Sequence, residues 1–144
     1  MGNSNQTADQ VAASAVLGQI LALRQGSEYQ AAERVRRQIG AQTMALYPDS
    51  STENGQIRLM INTWETIAGL ASTVGLPWDG FYKQNPVGFM WTELQPAVKE
   101  IRKQSSSLYA SAFQRLNNSY QTWLKRQPRK YQSGAKQGIN ASFG

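Results

Sequence analysis

The chain contains no histidine and no cysteine among its 144 residues. Histidine is the commonest proton-transfer group at neutral pH, and both residue types are preferred ligands of transition metals. The cysteine thiolate is also the strongest common side-chain nucleophile. These absences exclude disulfide bonds and thiolate or imidazole metal sites, and they leave little with which to build a catalytic centre. The sequence therefore predicts a protein that is not an enzyme and that uses no cofactor and no metal ion.

Acidic residues are few, and their positions argue against the carboxylate-based sites that remain. The nine Asp and Glu residues are scattered, and none follows the spacing of a calcium-binding loop. Glu93 and Glu100 are seven residues apart and could share a helix face if Pro96 did not interrupt or kink the helix. Lys99, Arg102 and Lys103 lie beside them. Acid–base catalysis by two carboxyl groups requires one of them to be desolvated. We interpret these two glutamates as solvated surface residues.

Long apolar runs are also missing. The longest uncharged stretch near the start, residues 11–23, is too short, because a helix that crosses a bilayer needs about 20 residues. No Lys or Arg precedes Arg24, so the positive start of a secretory signal is not visible either. We expect no integral membrane segment and a cytoplasmic location.

The feature that the chain does have is apolar residues at helical spacing. Two stretches repeat every three or four residues, as expected for helices with one buried face, and no alternating run predicts a strand. The sequence predicts an all-α, single-domain bundle of five or six helices over residues 7–127. The apolar positions of the two stretches are Ile57, Met60, Ile61, Trp64 and Ile67, then Tyr109, Phe113, Leu116, Tyr120 and Trp123.

Capping residues predict where several helices begin. Ser27 and Gln30 have the spacing of a capping box, and the helix that they open is expected to reach Leu46 with its arginines directed away from its apolar side. Asp79 is expected to cap a short helical turn. The three serines at 105–107 are expected to cap the last helix.

Positive charge is concentrated in the last third of the chain. Residues 1–100 hold seven basic and nine acidic side chains, whereas residues 101–144 hold eight basic side chains and no acid. Residues 128–144 mix Gly, Ser, Gln, Lys and Arg, which predicts a flexible basic tail. This end either binds a polyanion or is a solvated terminus that aids solubility. The candidate nucleic-acid-binding residues are Lys125, Arg126, Arg129, Lys130 and Lys136.

Two smaller groups of residues are further candidates. Trp78 lies in a turn, with Phe81 and Tyr82 close behind it. Aromatic residues on a turn either close over the core or form a contact patch, and we predict that these three bind a partner. Glu65 and Arg102 each adjoin an apolar stripe, and we predict a structural ion pair between them that fixes helix register.

The stretch from Gln56 to Trp123 resembles a known family. Its segments are Trp-Glu-Thr-Ile-Ala-Gly-Leu-Ala at 64–71, Gly-Leu-Pro at 75–77, Phe-Met-Trp-Thr-Glu-Leu-Gln-Pro-Ala-Val-Lys-Glu-Ile-Arg at 89–102 and Ala-Phe-Gln-Arg-Leu at 112–116. They are similar to a broad bacterial and phage-borne family of uncharacterised helical domains, often preceded by a membrane helix. The positions that match the family pattern are Glu65, Trp91, Pro96 and Arg102. The resemblance covers about half the chain and implies a helical fold but no chemistry. This chain departs from the family pattern because no membrane span precedes the match.

These observations predict a non-enzymatic helical interaction or regulatory module that binds a protein partner or a second copy of itself. The first alternative is a nucleic-acid-associated protein that uses the basic C-terminal third. The second alternative is peripheral binding to an anionic membrane.

Overall fold

The computed structural model describes residues 7–136, and it describes the side chains of residues 7–132. Within that range the chain forms eight α-helices and no strand, which confirms the predicted all-α class. The count is higher than the predicted five or six because the second predicted helix is split and part of the predicted tail is helical. The helices are α1 (Ala8–Gln25), α2 (Ser27–Ile39), α3 (Ala41–Leu46), α4 (Thr52–Ala71), α5 (Trp78–Gln84), α6 (Val87–Gln104), α7 (Ser111–Lys125) and α8 (Arg129–Lys136).

Helix α4 is the centre of the fold, since α1, α2, α3, α6 and α7 all pack against it. Its predicted apolar stripe is fully buried, as expected for a helix surrounded by others. The second stripe is buried in α7 from Phe113 onward, and the Phe113 ring stacks on Trp64 of α4 with the ring centroids 5.6 Å apart. Tyr109, the first residue of that stripe, lies before α7 and is only partly buried. The residues of the α4 stripe are Ile57, Met60, Ile61, Trp64 and Ile67.

The second predicted helix is interrupted at Gly40. This residue has a φ of +88°, a conformation that glycine adopts without the steric cost that a Cβ brings. Its N–H donates to the carbonyl of Arg36 and closes α2. The chain then restarts as α3, which packs against both α4 and α6.

Two predicted caps are replaced by other contacts. Ser27 is the first residue of α2 rather than its cap, and the Gln30 side chain donates to the carbonyl of Arg24 at 2.6 Å. Asp79 lies inside α5, where its carboxylate accepts a hydrogen bond from the indole N–H of Trp123 at 2.7 Å. The Gln30 side chain therefore connects α2 to α1, and the Asp79 side chain connects α5 to α7.

Helix α7 is capped by a residue of α4 rather than by the serines at 105–107. Its N-cap position is Ala110, which has a φ of 61° and no side-chain oxygen to offer. The carboxylate of Glu65 accepts hydrogen bonds from the backbone N–H groups of Ala112 at 3.2 Å and Phe113 at 2.8 Å. A carboxylate at this place satisfies free N–H groups and interacts favourably with the positive end of the helix dipole.

Arg102 also forms hydrogen bonds with residues around the start of α7. Its guanidinium donates to the carbonyl of Tyr109 and to the side-chain oxygen of Gln114, each at 2.9 Å. Among the described residues, Glu65 and Arg102 form no ion pair with each other, which corrects the predicted contact. Each instead fixes the start of α7, so their role in the structure is the positioning of that helix.

The chain beyond Pro128 begins with a helix. Residues 129–136 form α8, although composition predicts a flexible tail over 128–144. The side chain of Gln132 donates to the carbonyls of Lys125 at 3.3 Å and Gln127 at 2.7 Å. These bonds tie α8 to the end of α7. Residues 137–144 of the predicted tail lie outside the described range.

Candidate functional site

The predicted aromatic contact patch is mostly part of the core. Phe81 and Tyr82 are 1% and 5% exposed, because α5 directs both rings inward, where Tyr82 meets Tyr120 and Trp123 of α7. Trp78 is different, with 38% of its surface exposed. The structure therefore corrects the prediction for Phe81 and Tyr82 and leaves Trp78 as the accessible member.

The predicted nucleic-acid-binding cations are accessible where the structure describes them. Lys125, Arg126, Arg129 and Lys130 are exposed, and none takes part in a salt bridge with another described residue. The side chain of Lys136 lies outside the described range.

A groove that sequence patterns do not show lies between α1, α2 and the α5–α6 junction. Its volume is about 940 Å³, within the range of sites that bind small molecules or peptide side chains. Four cations and one acid line it, together with aromatic and aliphatic side chains. We call it the α1–α2 groove, and its lining residues are Leu21, Arg24, Gln25, Tyr29, Gln30, Glu33, Arg36, Arg37, Trp64, Lys83, Gln84, Pro86, Phe89 and Met90.

Arg24 is the main cation of this groove. One guanidinium nitrogen donates to the carbonyl of Gln84 at 2.9 Å and to the side-chain oxygen of Asn85 at 2.8 Å. The guanidinium carbon lies 5.8 Å from the ring centre of Trp64, a cation–π distance. Burial lowers the pKa of Arg24, whereas Tyr29 and Glu33 act in the opposite direction. The hydrogen-bond acceptors of Arg24 are both neutral. Within the described residues no carboxylate forms a salt bridge with it.

Arg36 has the opposite arrangement. Its guanidinium is bonded to Glu33 at 2.6 Å and to Glu93 of α6 at 2.7 Å. Burial acts to lower the pKa of Arg36, but hydrogen bonds to Glu33 and the attraction of both carboxylates outweigh it, so the pKa is raised. Glu33 also lies 3.6 Å from Arg37, the pair expected at a spacing of four residues on a helix. The only acid on the groove wall is therefore already bound to two arginines.

Tyr29 and Trp64 form the inner wall. The indole N–H of Trp64 donates to the hydroxyl of Tyr29 at 2.8 Å, and both side chains are buried. Burial raises the pKa of Tyr29 to about 12, so its hydroxyl stays protonated at neutral pH. The groove can attract and hold a negative group, and none of these residues is arranged to take a proton from a substrate.

Sequence reasoning missed this groove because no single element contains it. Arg24 is the only basic residue of α1 and lies in its last turn, where a cation near the helix C-terminus is common. The apolar spacing of α2 predicts that its arginines lie away from its apolar side, yet Arg36 is only 6% exposed. The spacing of Glu33 from Arg36 and Arg37, three and four residues later, could have indicated an ion-pair network. The second partner of Arg36 is Glu93, which lies on the distant helix α6.

No group of three His, Cys, Asp or Glu side chains in the described range could hold a metal ion. No helix in that range is both long and apolar enough to cross a membrane. No protein-family model matches this chain, and neither the curated proteins nor the solved structures compared with it gave a match. The family resemblance over residues 56–123 stays a prediction.

Proposed function

We propose that this protein is a non-enzymatic interaction module that binds an acidic segment of a protein partner in the α1–α2 groove. One observation carries the proposal, which is the Arg24 guanidinium on the groove wall. It is half-buried and bonded only to neutral groups. A half-buried cation without a counter-ion is costly, and a ligand that supplies a negative charge removes this cost. The hydrogen bond that forms between the two charged groups is a strong one.

The charge of the groove supports an acidic ligand. Lys83 is exposed on the groove rim and, like Arg24, has no salt bridge to any described residue. Glu33 attracts Arg24 at a distance but forms its salt bridges with Arg36 and Arg37, so its carboxylate occupies neither Arg24 nor Lys83. A carboxylate that enters the groove would meet two cations with free hydrogen-bond donors and no competing free acid.

The shape and the apolar lining support a protein segment rather than a free ion. Leu21 is 51% exposed at the edge of the groove. A smaller cavity of about 200 Å³ shares Leu21 and Arg24 with it and extends along Leu17 and Gly18 of α1. A segment that places an apolar side chain over Leu21 and a carboxylate on Arg24 would use both parts of the surface.

Other predictions from the sequence belong to the same proposal. The absence of histidine and cysteine favours a binding role over an enzymatic one. We place the module in the cytoplasm, which fractionation of the native host would test. A second copy of this chain is the alternative occupant of the groove, and photo-cross-linking distinguishes it from another protein.

The test begins with a photo-cross-linking amino acid at Leu21, expressed in the native host, and with the same group at Leu108 as the control. Both side chains are exposed, but Leu108 does not line the groove. We expect one protein to be cross-linked from position 21 and not from position 108, through a segment rich in Asp or Glu. Equal cross-linking from both positions, or cross-linking only to a second copy of the chain, would contradict the proposal.

The role of Arg24 is then measured with a synthetic peptide of the cross-linked segment. Arg24→Gln should weaken peptide binding about 10-fold to 100-fold, because a hydrogen bond to a charged group is worth about 1.5–3 kcal/mol. Arg24→Lys should restore part of the affinity. Arg34→Gln, which removes an exposed cation outside the groove, should leave the affinity unchanged. Equal affinities for Arg24→Gln and Arg34→Gln in isothermal titration would refute the assignment.

A further inference from the structure

We propose that a second surface, separate from the α1–α2 groove, binds single-stranded nucleic acid. The surface consists of Trp78 together with Lys125, Arg126, Arg129 and Lys130 at the junction of α7 and α8, and we call it the basic end. Its cations would bind the phosphate backbone, and Trp78 would stack on a base.

The positive charge of the basic end is only partly compensated by the chain itself. Its four cations are exposed, and none forms a salt bridge with a described residue. No Asp or Glu follows Glu100 in the sequence. Asp79, the acid next to Trp78, accepts the neutral indole N–H of Trp123, so this surface carries one acid against four cations. A cluster of this kind attracts phosphates, whose counterions are released when the cations replace them.

The cations are held on a folded surface. Gln132 of α8 donates to the carbonyls of Lys125 and Gln127, and the ring of Tyr131 packs edge-on against Trp123 at 5.7 Å. These contacts fix α8 against the last turn of α7. The backbone that carries the cations at 125–130 is therefore fixed, and less backbone entropy is lost when they bind a ligand.

A series of aromatic contacts connects these cations to Trp78. From Tyr131, which follows Lys130, the ring of Trp123 is 5.7 Å away, Tyr82 lies 5.1 Å beyond it, and Trp78 lies 5.3 Å from Tyr82. Trp78 ends the series and is 38% exposed. Trp78 is thus connected through Tyr82 and Trp123 to the ring that follows Lys130, and an accessible indole combined with cations is the arrangement that binds unpaired bases and their phosphates.

The same observations favour single-stranded nucleic acid over a membrane or a duplex. A peripheral membrane site needs several exposed apolar side chains, and among the large exposed ones in the described residues Trp78 alone belongs to the basic end. In a duplex the bases are stacked on one another, so Trp78 would have no base face to contact. An unpaired strand offers both phosphates and free base faces.

The experiment measures binding of the full chain to a fluorescein-labelled oligothymidylate of about 12 nucleotides, within the range of single-strand binding sites. We expect log K to fall with log salt at a slope of about −2.8 if all four cations meet phosphates, from a value of about −0.7 per phosphate. Gln at positions 125, 126, 129 and 130 together should abolish measurable binding. Trp78→Ala should weaken binding about tenfold, and Trp78→Phe should restore most of the loss.

The control separates this surface from the general positive charge of the protein. A variant with Gln in place of Arg34, Lys99, Lys103 and Arg115 loses the same charge from exposed positions elsewhere. We expect its affinity for the oligonucleotide to stay within about twofold of that of the unmodified protein, when both are measured at a salt concentration that screens long-range attraction. Equal losses in the two variants would overturn the proposal. So would equal affinity for a duplex with no effect of Trp78, or binding to vesicles of phosphatidylserine and phosphatidylcholine in place of the oligonucleotide.

Discussion

At the residue scale, the most consequential side chain outside the groove is Glu65. It lies on the central helix, and its two oxygens accept the backbone N–H groups of Ala112 and Phe113. A side-chain cap usually comes from the residue before the helix, but Ala110 at that place has none to offer. The start of α7 therefore depends on a residue far away in the sequence.

We predict that Glu65→Ala lowers the free energy of unfolding by about 1–2 kcal/mol, because it removes a cap and leaves two N–H groups without a partner. Glu65→Gln should cost less, since an amide oxygen can still accept one of the bonds. Urea unfolding at neutral pH measures both changes.

Glu53→Gln is the matched control for this prediction. It also removes a charge from α4, but Glu53 lies in the first turn of that helix and no salt bridge to a described residue involves it. We expect its effect to stay below about 0.5 kcal/mol. A stability loss in Glu65→Ala no larger than in this control would show that the cap contributes nothing.

At the element scale, α6 and α7 approach each other closely at Gly88. A Cβ built at this position would lie 2.4 Å from a ring carbon of Tyr120, well inside van der Waals contact. The absence of a side chain thus allows the aromatic face of α7 to lie against the first turn of α6. Pro96 lies inside α6 without ending it.

We predict that Gly88→Ala destabilises the protein by about 1–3 kcal/mol, the usual cost of overpacking a core. Gly69→Ala is the control, because a Cβ at that position of α4 meets nothing within 4 Å. It should stabilise the protein by about 0.5–1 kcal/mol through helix propensity alone. Thermal unfolding compares the two variants, and similar melting temperatures would contradict the close packing at Gly88.

Apolar spacing predicts the long helices, because burial of one face determines them. The stripes of α4 and α7 lie where the pattern puts them. The split at Gly40 escapes prediction because the apolar residues on its two sides continue with helical spacing. The cap of α7 escapes prediction for another reason, since Glu65 meets residues 112 and 113 only in the folded chain.

The two candidate sites also differ in how far the sequence predicts them. Composition alone marks the basic end, because acids are missing after Glu100. The α1–α2 groove combines residues from helices that are distant in sequence, and no local pattern indicates it. The burial of Phe81 and Tyr82 likewise depends on the position of α7, so the turn that contains them looks like a contact patch in the sequence.

At the scale of the whole molecule, buried tyrosines link stability to alkaline pH. Burial raises the pKa of Tyr29 to about 12 and that of Tyr82 to about 12, from the usual value of 10.0. Between these values the unfolded chain has released the two protons and the folded chain still holds them. Stability is then full below about pH 10 and falls as the pH rises toward about 12.

We predict that Tyr82→Phe makes this alkaline loss of stability shallower, because one proton fewer then differs between the folded and unfolded states. Burial also raises the pKa of Tyr109 and of Tyr120, so part of the slope remains. Urea midpoints measured from pH 8 upward test the slope. Tyr47→Phe, at an exposed tyrosine, should leave the curve unchanged. Parallel curves for the unmodified protein and Tyr82→Phe would show that this hydroxyl does not contribute.

The capping of α7 by α4 also determines when the chain can complete its fold during synthesis. The carboxylate of Glu65 and the amide of Phe113 are 48 residues apart in sequence. At about 5–20 residues per second, a ribosome needs roughly 2–10 s to add that stretch. During this interval the Glu65 carboxylate has no α7 amide to accept from, and Trp64 lacks the Phe113 ring that stacks on it, so a chaperone that shields this side of α4 has several seconds in which to act.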